Sequence, residues 1–175
     1  MKKLSVIAIV FLLIFESCKK EDSEGNYHVS FTVDGVNKTY TGHVLAHTDT
    51  SAGYTTLTIL GANSSISFDN YLGIYLDNYP GGANITPGQY EDNFTDFTLL
   101  TTYTNNNVSY EAGQTMADNA VAYNVTIPNH FKLNIISMDN NTIKGTFSGD
   151  YFQDGDVQSG TRLNITNGEF YVKFQ

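Results

Sequence analysis

The chain has 175 residues, a formal net charge of −9, one cysteine and no tryptophan, and 41% of it is hydrophobic. That length suits one domain; plentiful Tyr, Phe and β-branched residues exclude a disordered chain, and a lone cysteine excludes a disulfide framework. Nine Lys and Arg against 18 Asp and Glu give a surface that repels phosphate, which argues against nucleic acid as a partner and against docking on anionic lipid.

Met1, Lys2 and Lys3 form a basic start, and Leu4 to Phe15 is an apolar run with no charge before Glu16. A membrane-spanning helix needs about 20 apolar residues, whereas a run this short matches the core of a secretory leader. Residues 1–17 are therefore expected to be a signal peptide. The only cysteine follows at once, in Phe15-Glu16-Ser17-Cys18, and this resembles the lipobox of bacterial lipoprotein precursors. Ser17 fits that pattern, while Phe15 and Glu16 stand where small and aliphatic residues are usual. The resemblance implies that the Cys18 thiol carries diacylglycerol and that cleavage before Cys18 frees an amino terminus for acylation. With about 0.8 kcal/mol for each buried methylene, two or three acyl chains hold a protein at a membrane without a spanning helix.

Residues 18–26 are polar and read as a flexible tether, reaching at most about 27 Å beyond Cys18 at ~3.4 Å per residue. Within it, Lys20, Glu21 and Asp22 after the cysteine resemble the export signal of surface lipoproteins in Bacteroidota. That resemblance implies an outer-membrane protein displayed on the cell surface. The alternative is a plain spacer on a lipoprotein facing the periplasm.

Residues 27–175 are expected to form a single all-β domain, because apolar residues recur there at every second position rather than at helical spacing. Val29, Phe31 and Val33 alternate with Ser30 and Thr32, and Asp34-Gly35 is a hairpin signal before the Val36 to Ala46 stretch. Tyr54 to Leu60 reads as a strand. Ser65 to Leu76 is apolar on both faces, as a central strand should be. Tyr79-Pro80-Gly81-Gly82 and Pro87-Gly88 bracket a loop. Tyr90 to Tyr103 pairs with Val108 to Tyr110 across Asn105-Asn106-Asn107, and residues 111–120 read as a loop or one helical turn. Phe131, Leu133 and Ile135 lead into a turn at Asp139-Asn140-Asn141, and Ile143, Gly145 and Phe147 lead out, with Lys132, Asn134, Lys144 and Thr146 facing the opposite way. Asp154 to Gly160 is a polar loop, and Asn167-Gly168 reads as a turn between Leu163-Ile165 and Phe170-Phe174.

Nine to eleven strands with short turns predict an antiparallel β-sandwich, with an antiparallel β-barrel as the alternative. Val33-Asp34-Gly35, Pro87-Gly88-Gln89-Tyr90, Ile143-Lys144-Gly145-Thr146-Phe147 and Ile165-Thr166-Asn167-Gly168-Glu169-Phe170 together resemble a family of small, uncharacterised Bacteroidota lipoproteins. These are turn and strand signatures, so the resemblance implies a fold and not a chemistry. Gly145 is expected to serve close packing or a bulge, and Gly168 a positive φ.

His43, His47 and Asp49 carry metal-ligand chemistry, but residues four apart on a strand are separated by about 13 Å, so a solvated edge is expected. Asp150, Asp154 and Asp156 supply oxygen ligands at a spacing that fits no calcium loop. No nucleophile elbow, phosphate-cradling loop or dinucleotide fingerprint is present. The expectation is therefore a protein that is not an enzyme and has no metal and no cofactor. Tyr71 and Tyr75 share a strand face and, with Tyr79, form the candidate ligand face, since tyrosine combines stacking area with a hydroxyl. A lipid-anchored binding module for a glycan or an envelope protein is the function expected. The alternatives are a structural or accessory envelope component and, further off, an enzyme of unrecognised type.

Overall fold

A computed structural model describes residues 27–65, 69–79, 82–92 and 96–175. The leader, Cys18 and Lys20, Glu21 and Asp22 lie outside these residues. In chain order the strands are β1 His28–Val33, β2 Val36–Tyr40, β3 His43–Ser51, β4 Tyr54–Ala62, β5 Asn70–Asn78, β6 Gly88–Glu91, β7 Phe97–Asn105, β8 Val108–Gly113, β9 Lys132–Met138, β10 Thr142–Gln153 and β11 Arg162–Lys173. A helix, α1 Gln114–Tyr123, lies between β8 and β9. The domain is all-β, as its alternation predicted.

The strands are hydrogen-bonded in the order β2-β1-β11-β10-β8-β7-β5-β4-β3, with β9 added to β10 and β6 to β9. Strand β10 is the corner: Ile143 to Ser148 pair with β9, and Phe152 and Gln153 pair with β8. Two walls result, β2-β1-β11-β10-β9-β6 and β8-β7-β5-β4-β3. They nearly close on each other, because Phe174 bridges Ala46 and the Gln175 N–H donates to the Ala46 carbonyl at 2.9 Å. Sandwich and barrel both describe this arrangement.

Alternation decides what lies inside. In β1 the buried residues are Val29, Phe31 and Val33, and in β5 Leu72, Ile74 and Leu76 point the same way. Strand β5 is central, as its two apolar faces implied, and is paired on both sides by β4 and β7. Across the interior Phe31 meets Tyr103 edge-on at 5.3 Å between centroids. Each buried Val, Leu, Ile or Phe contributes about 1.5–3 kcal/mol relative to exposure.

Four local expectations are corrected. Tyr90 to Tyr103 does not pair as one strand with Val108 to Tyr110: Tyr90 and Glu91 end β6, which pairs with β9, and Phe97–Asn105 alone forms β7 against β8. Residues 111–120 are not a loop or a single turn; α1 runs for ten residues. Its Met116 and Ala120 pack with Ile127, Phe152 and Val157 in a small core of their own, so burial against partners distant in sequence makes the helix. The Val36 to Ala46 stretch is two strands, broken at Thr41 and Gly42. Asn167-Gly168 is not a hairpin turn but a bulge inside β11. Gly168 pairs with Phe147 while Ile165 pairs with Gly149, and β1 sees the same extra residue between Ser30 and Thr32. Asn167 takes the positive φ, 51°. Gly168 instead makes room, since a Cβ there would stand 2.4 Å from the Phe147 carbonyl oxygen and 2.6 Å from its ring. Gly145 does serve close packing, facing the Phe170 ring. Asn106 and Asn107, at φ 51° and 65°, form the β7–β8 turn, the geometry that favours Asn.

Candidate functional site

The inward residues of β9, β10 and β11 are mostly apolar, so their alternate residues form an outer face that is mainly polar, with Ile136 and Tyr171 as apolar exceptions. A concavity of about 570 Å³ lies on it, lined by Gln89 from β6, Lys132 and Asn134 from β9, Thr146, Phe147 and Ser148 from β10, and Asn167, Gly168 and Glu169 from β11. The bulge in β11 shapes it, because an extra residue bends the strand and re-aims a side chain; here that side chain is Asn167. A second concavity of about 310 Å³, lined by Ser30, Thr32, Asn37 and Thr39 among others, shares Asn167 with the first.

One ion pair and one carboxylate flank this concavity. Lys132 Nζ lies 3.1 Å from Glu91 Oε1, and Gln89 Nε2 donates to the same oxygen at 2.6 Å. The bonds from Lys132 and then Gln89 hold the Glu91 carboxyl below the usual carboxylate range. On the other side Glu169 accepts from Ser30 at 3.1 Å and meets His28 Nε2 at 3.3 Å. Between them the groove is neutral. Among the described residues no side-chain hydrogen bond engages Asn134, Thr146, Ser148 or Asn167. Four neighbouring amide and hydroxyl groups on three strands thus present donors and acceptors outward.

Two buried carboxylates pin the chain entering β9. Asp92, 1% exposed, accepts from the Phe131 N–H at 2.9 Å and from His130 Nδ1 at 2.8 Å. A carboxylate only accepts, so the proton is on Nδ1. Asp150 accepts from the backbone N–H and side-chain amide of Asn129 and from the Asn164 amide, the last at 2.7 Å. These bonds fix the start of β9, and with it the position of Lys132 and Asn134.

The candidate tyrosine face lies on the other wall. Tyr71 and Tyr75 do share the outer face of β5 and are half-buried. Tyr75 folds its ring along the strand, so that its hydroxyl would stand 2.9 Å from a Cβ on Gly73. Burial, with Tyr71 next to it, raises the Tyr75 phenol. Tyr79 follows the end of β5, is exposed, and accepts a hydrogen bond from Thr98 at 3.1 Å. None of the three lines the polar groove. His43 and His47 lie on β3, and His47 Nδ1 donates to the Gln175 main-chain oxygen at 3.0 Å. Asp156 closes its own turn by accepting from the Gln158 and Ser159 N–H groups, whereas Asp150 faces Asn129 and Asn164. Among the described residues no three His, Cys, Asp or Glu groups are arranged to hold a metal ion.

The outward set in β9 and β10 was legible as polar alternation. The groove was not, since Gln89 and Asn167 reach it only through strand neighbours distant in sequence. No protein-family model matches the chain, no curated protein matches it, and no solved structure matches it. Among the described residues no helix is long and apolar enough to cross a membrane.

Proposed function

We propose that this chain is a lipid-anchored cell-envelope protein whose β domain binds a neutral, hydroxyl-rich glycan in the polar groove, without catalysis of its own. The observation that carries the ligand class is the set of four unengaged side chains, Asn134, Thr146, Ser148 and Asn167. Amides and hydroxyls each supply donors and acceptors, as sugar hydroxyls do. Lys132 is paired with Glu91, which leaves the Glu169 carboxylate at the edge of the groove, and that charge with a net charge of −9 opposes polyanionic ligands. The anchor rests on the leader, on Cys18 and on Lys20, Glu21 and Asp22, with their resemblance to surface lipoproteins of Bacteroidota. Display on the outer face of the outer membrane follows from that resemblance.

A second reading uses the opposite wall. Tyr71 and Tyr75 share the outer face of β5 and Tyr79, just past its end, is 45% exposed, so an envelope protein could dock there and the domain would act as an accessory component.

Retention of the full chain on immobilised neutral polysaccharides tests the groove. Thr146→Arg is expected to abolish retention and Tyr75→Ala to leave it unchanged. Loss in Tyr75→Ala with retention in Thr146→Arg would move the site to the tyrosine face. For the anchor, Cys18→Ala is expected to lose the lipid seen by mass spectrometry of the N-terminal peptide. Replacing Lys20, Glu21 and Asp22 by Ala should keep the lipid but shield the domain from protease added to intact cells. A diacylated peptide from the Cys18→Ala variant would overturn the anchor.

A further inference from the structure

Resting on the groove as a glycan site, we infer that its ligand is an extended chain of about four or five sugar units lying across the strands rather than along one of them. One register row crosses the whole wall. Gln89 pairs with Asn134, Asn134 with Thr146, Thr146 with Glu169, Glu169 with Ser30, and Ser30 with Thr39. All six side chains are polar and all face outward, because the residues between them form the core. Neighbouring strands are about 4.8 Å apart, so five intervals span about 24 Å, and a pyranose unit in an extended glycan advances by a similar distance, about 5 Å. Hydrogen-bonding groups therefore recur along this row with nearly the period of a sugar chain.

A second row runs beside the first. Glu91 pairs with Lys132 and Lys132 with Ser148, and beyond the bulge Thr32 pairs with Asn37. The bulge places Asn167 between the two halves, where it lines both concavities. The two are thus successive parts of one track. Individual hydrogen bonds exchanged with water contribute little net free energy. A single sugar touching two strands would bind weakly, whereas a chain that engages the row in sequence adds these small terms along its length.

Binding of malto-, cello-, manno- and xylo-oligosaccharides of one to eight units to the full chain, held in a non-glycosidic detergent, tests this by calorimetry. In the series that binds, affinity should rise at least tenfold from two units to five and then level off. Gln89→Ala and Thr39→Ala, at the two ends of the row, should weaken the pentasaccharide about three- to tenfold, the loss expected of one hydrogen bond, and leave the disaccharide unchanged. Thermal midpoints at the wild-type value establish that both variants are folded. Equal affinity for two and five units, or affinity still climbing at eight, overturns the inference while leaving a glycan site in place. Absence of binding in all four series overturns the glycan reading as well.

Discussion

Tyr151→Phe and Thr101→Val delete opposite ends of one buried hydrogen bond between the two walls, and the structure makes them unequal. Tyr151 and Thr101 are 0% and 2% exposed, and their hydroxyl oxygens lie 2.9 Å apart. The Thr101 hydroxyl donates its single proton to the Gly73 carbonyl, also at 2.9 Å, so the phenol must be the donor in the shared bond. Tyr151→Phe removes that donor and leaves Thr101 bonded to Gly73, which costs about 1 kcal/mol. Thr101→Val strands the phenol and removes the proton offered to Gly73, which costs about 2–4 kcal/mol. The double variant no longer has a stranded phenol, so it should be less destabilised than the sum of the singles by about 1–2 kcal/mol. Urea unfolding followed by circular dichroism measures all three, provided the slope is unchanged. If Tyr151→Phe proves as costly as Thr101→Val, or if the two costs add, the assignment of the phenol as donor is wrong.

Burial raises the Tyr40 and Tyr151 phenols far above their ordinary value and pushes Tyr103 up to about 12, with Tyr110 and Asp34 adding to the last. A pKa raised on folding means that the stability these groups contribute is complete below pH ~10 and is lost as pH climbs toward the folded values. Absorbance at 295 nm should therefore show an early group of tyrosines ionising in the folded domain and a late group ionising with cooperative unfolding; a single step near pH 10 with dichroism intact contradicts this. Gly168→Ala drives a Cβ into the Phe147 carbonyl and ring and should cost about 1–3 kcal/mol; a wild-type thermal midpoint would refute that packing. Asp92→Ala leaves the buried Phe131 N–H unpartnered and should cost about 2–4 kcal/mol, with amide exchange at Phe131 accelerated. Unchanged exchange at that amide would mean another acceptor holds the strand.

Where one wall faces water and the other side of the strand faces the core, period-2 alternation is a direct record of burial, which is why β1, β5 and the β9–β10 hairpin could be read from their residues. The helix could not, because Met116 and Ala120 are buried only by packing against Ile127, Phe152 and Val157, a fact of tertiary structure and not of local pattern. Asn-Gly has two meanings, hairpin or bulge, and what decided between them at Asn167 was the Phe147 ring lying over Gly168. The groove followed the same logic. Asn134 and Thr146 were visible as outward residues of one hairpin, but Gln89 joins them through β6 on β9, and Ser30 and Thr39 through β1 on β11. The tyrosine face needed only parity within one strand, and Tyr71 and Tyr75 share a face accordingly.

The pairing of β1 with β11 bears on how the molecule is made. Val29 finds its partner Phe170 only once nearly every other residue has been synthesised, and contacts of such long sequence separation form slowly. During synthesis the first strand has β2 alone for company, too little to be stable in water. The wall of β3, β4, β5, β7 and β8 pairs near neighbours in sequence and can assemble as it emerges, so the two halves of the domain are set to form at different times, the wall that holds the groove last.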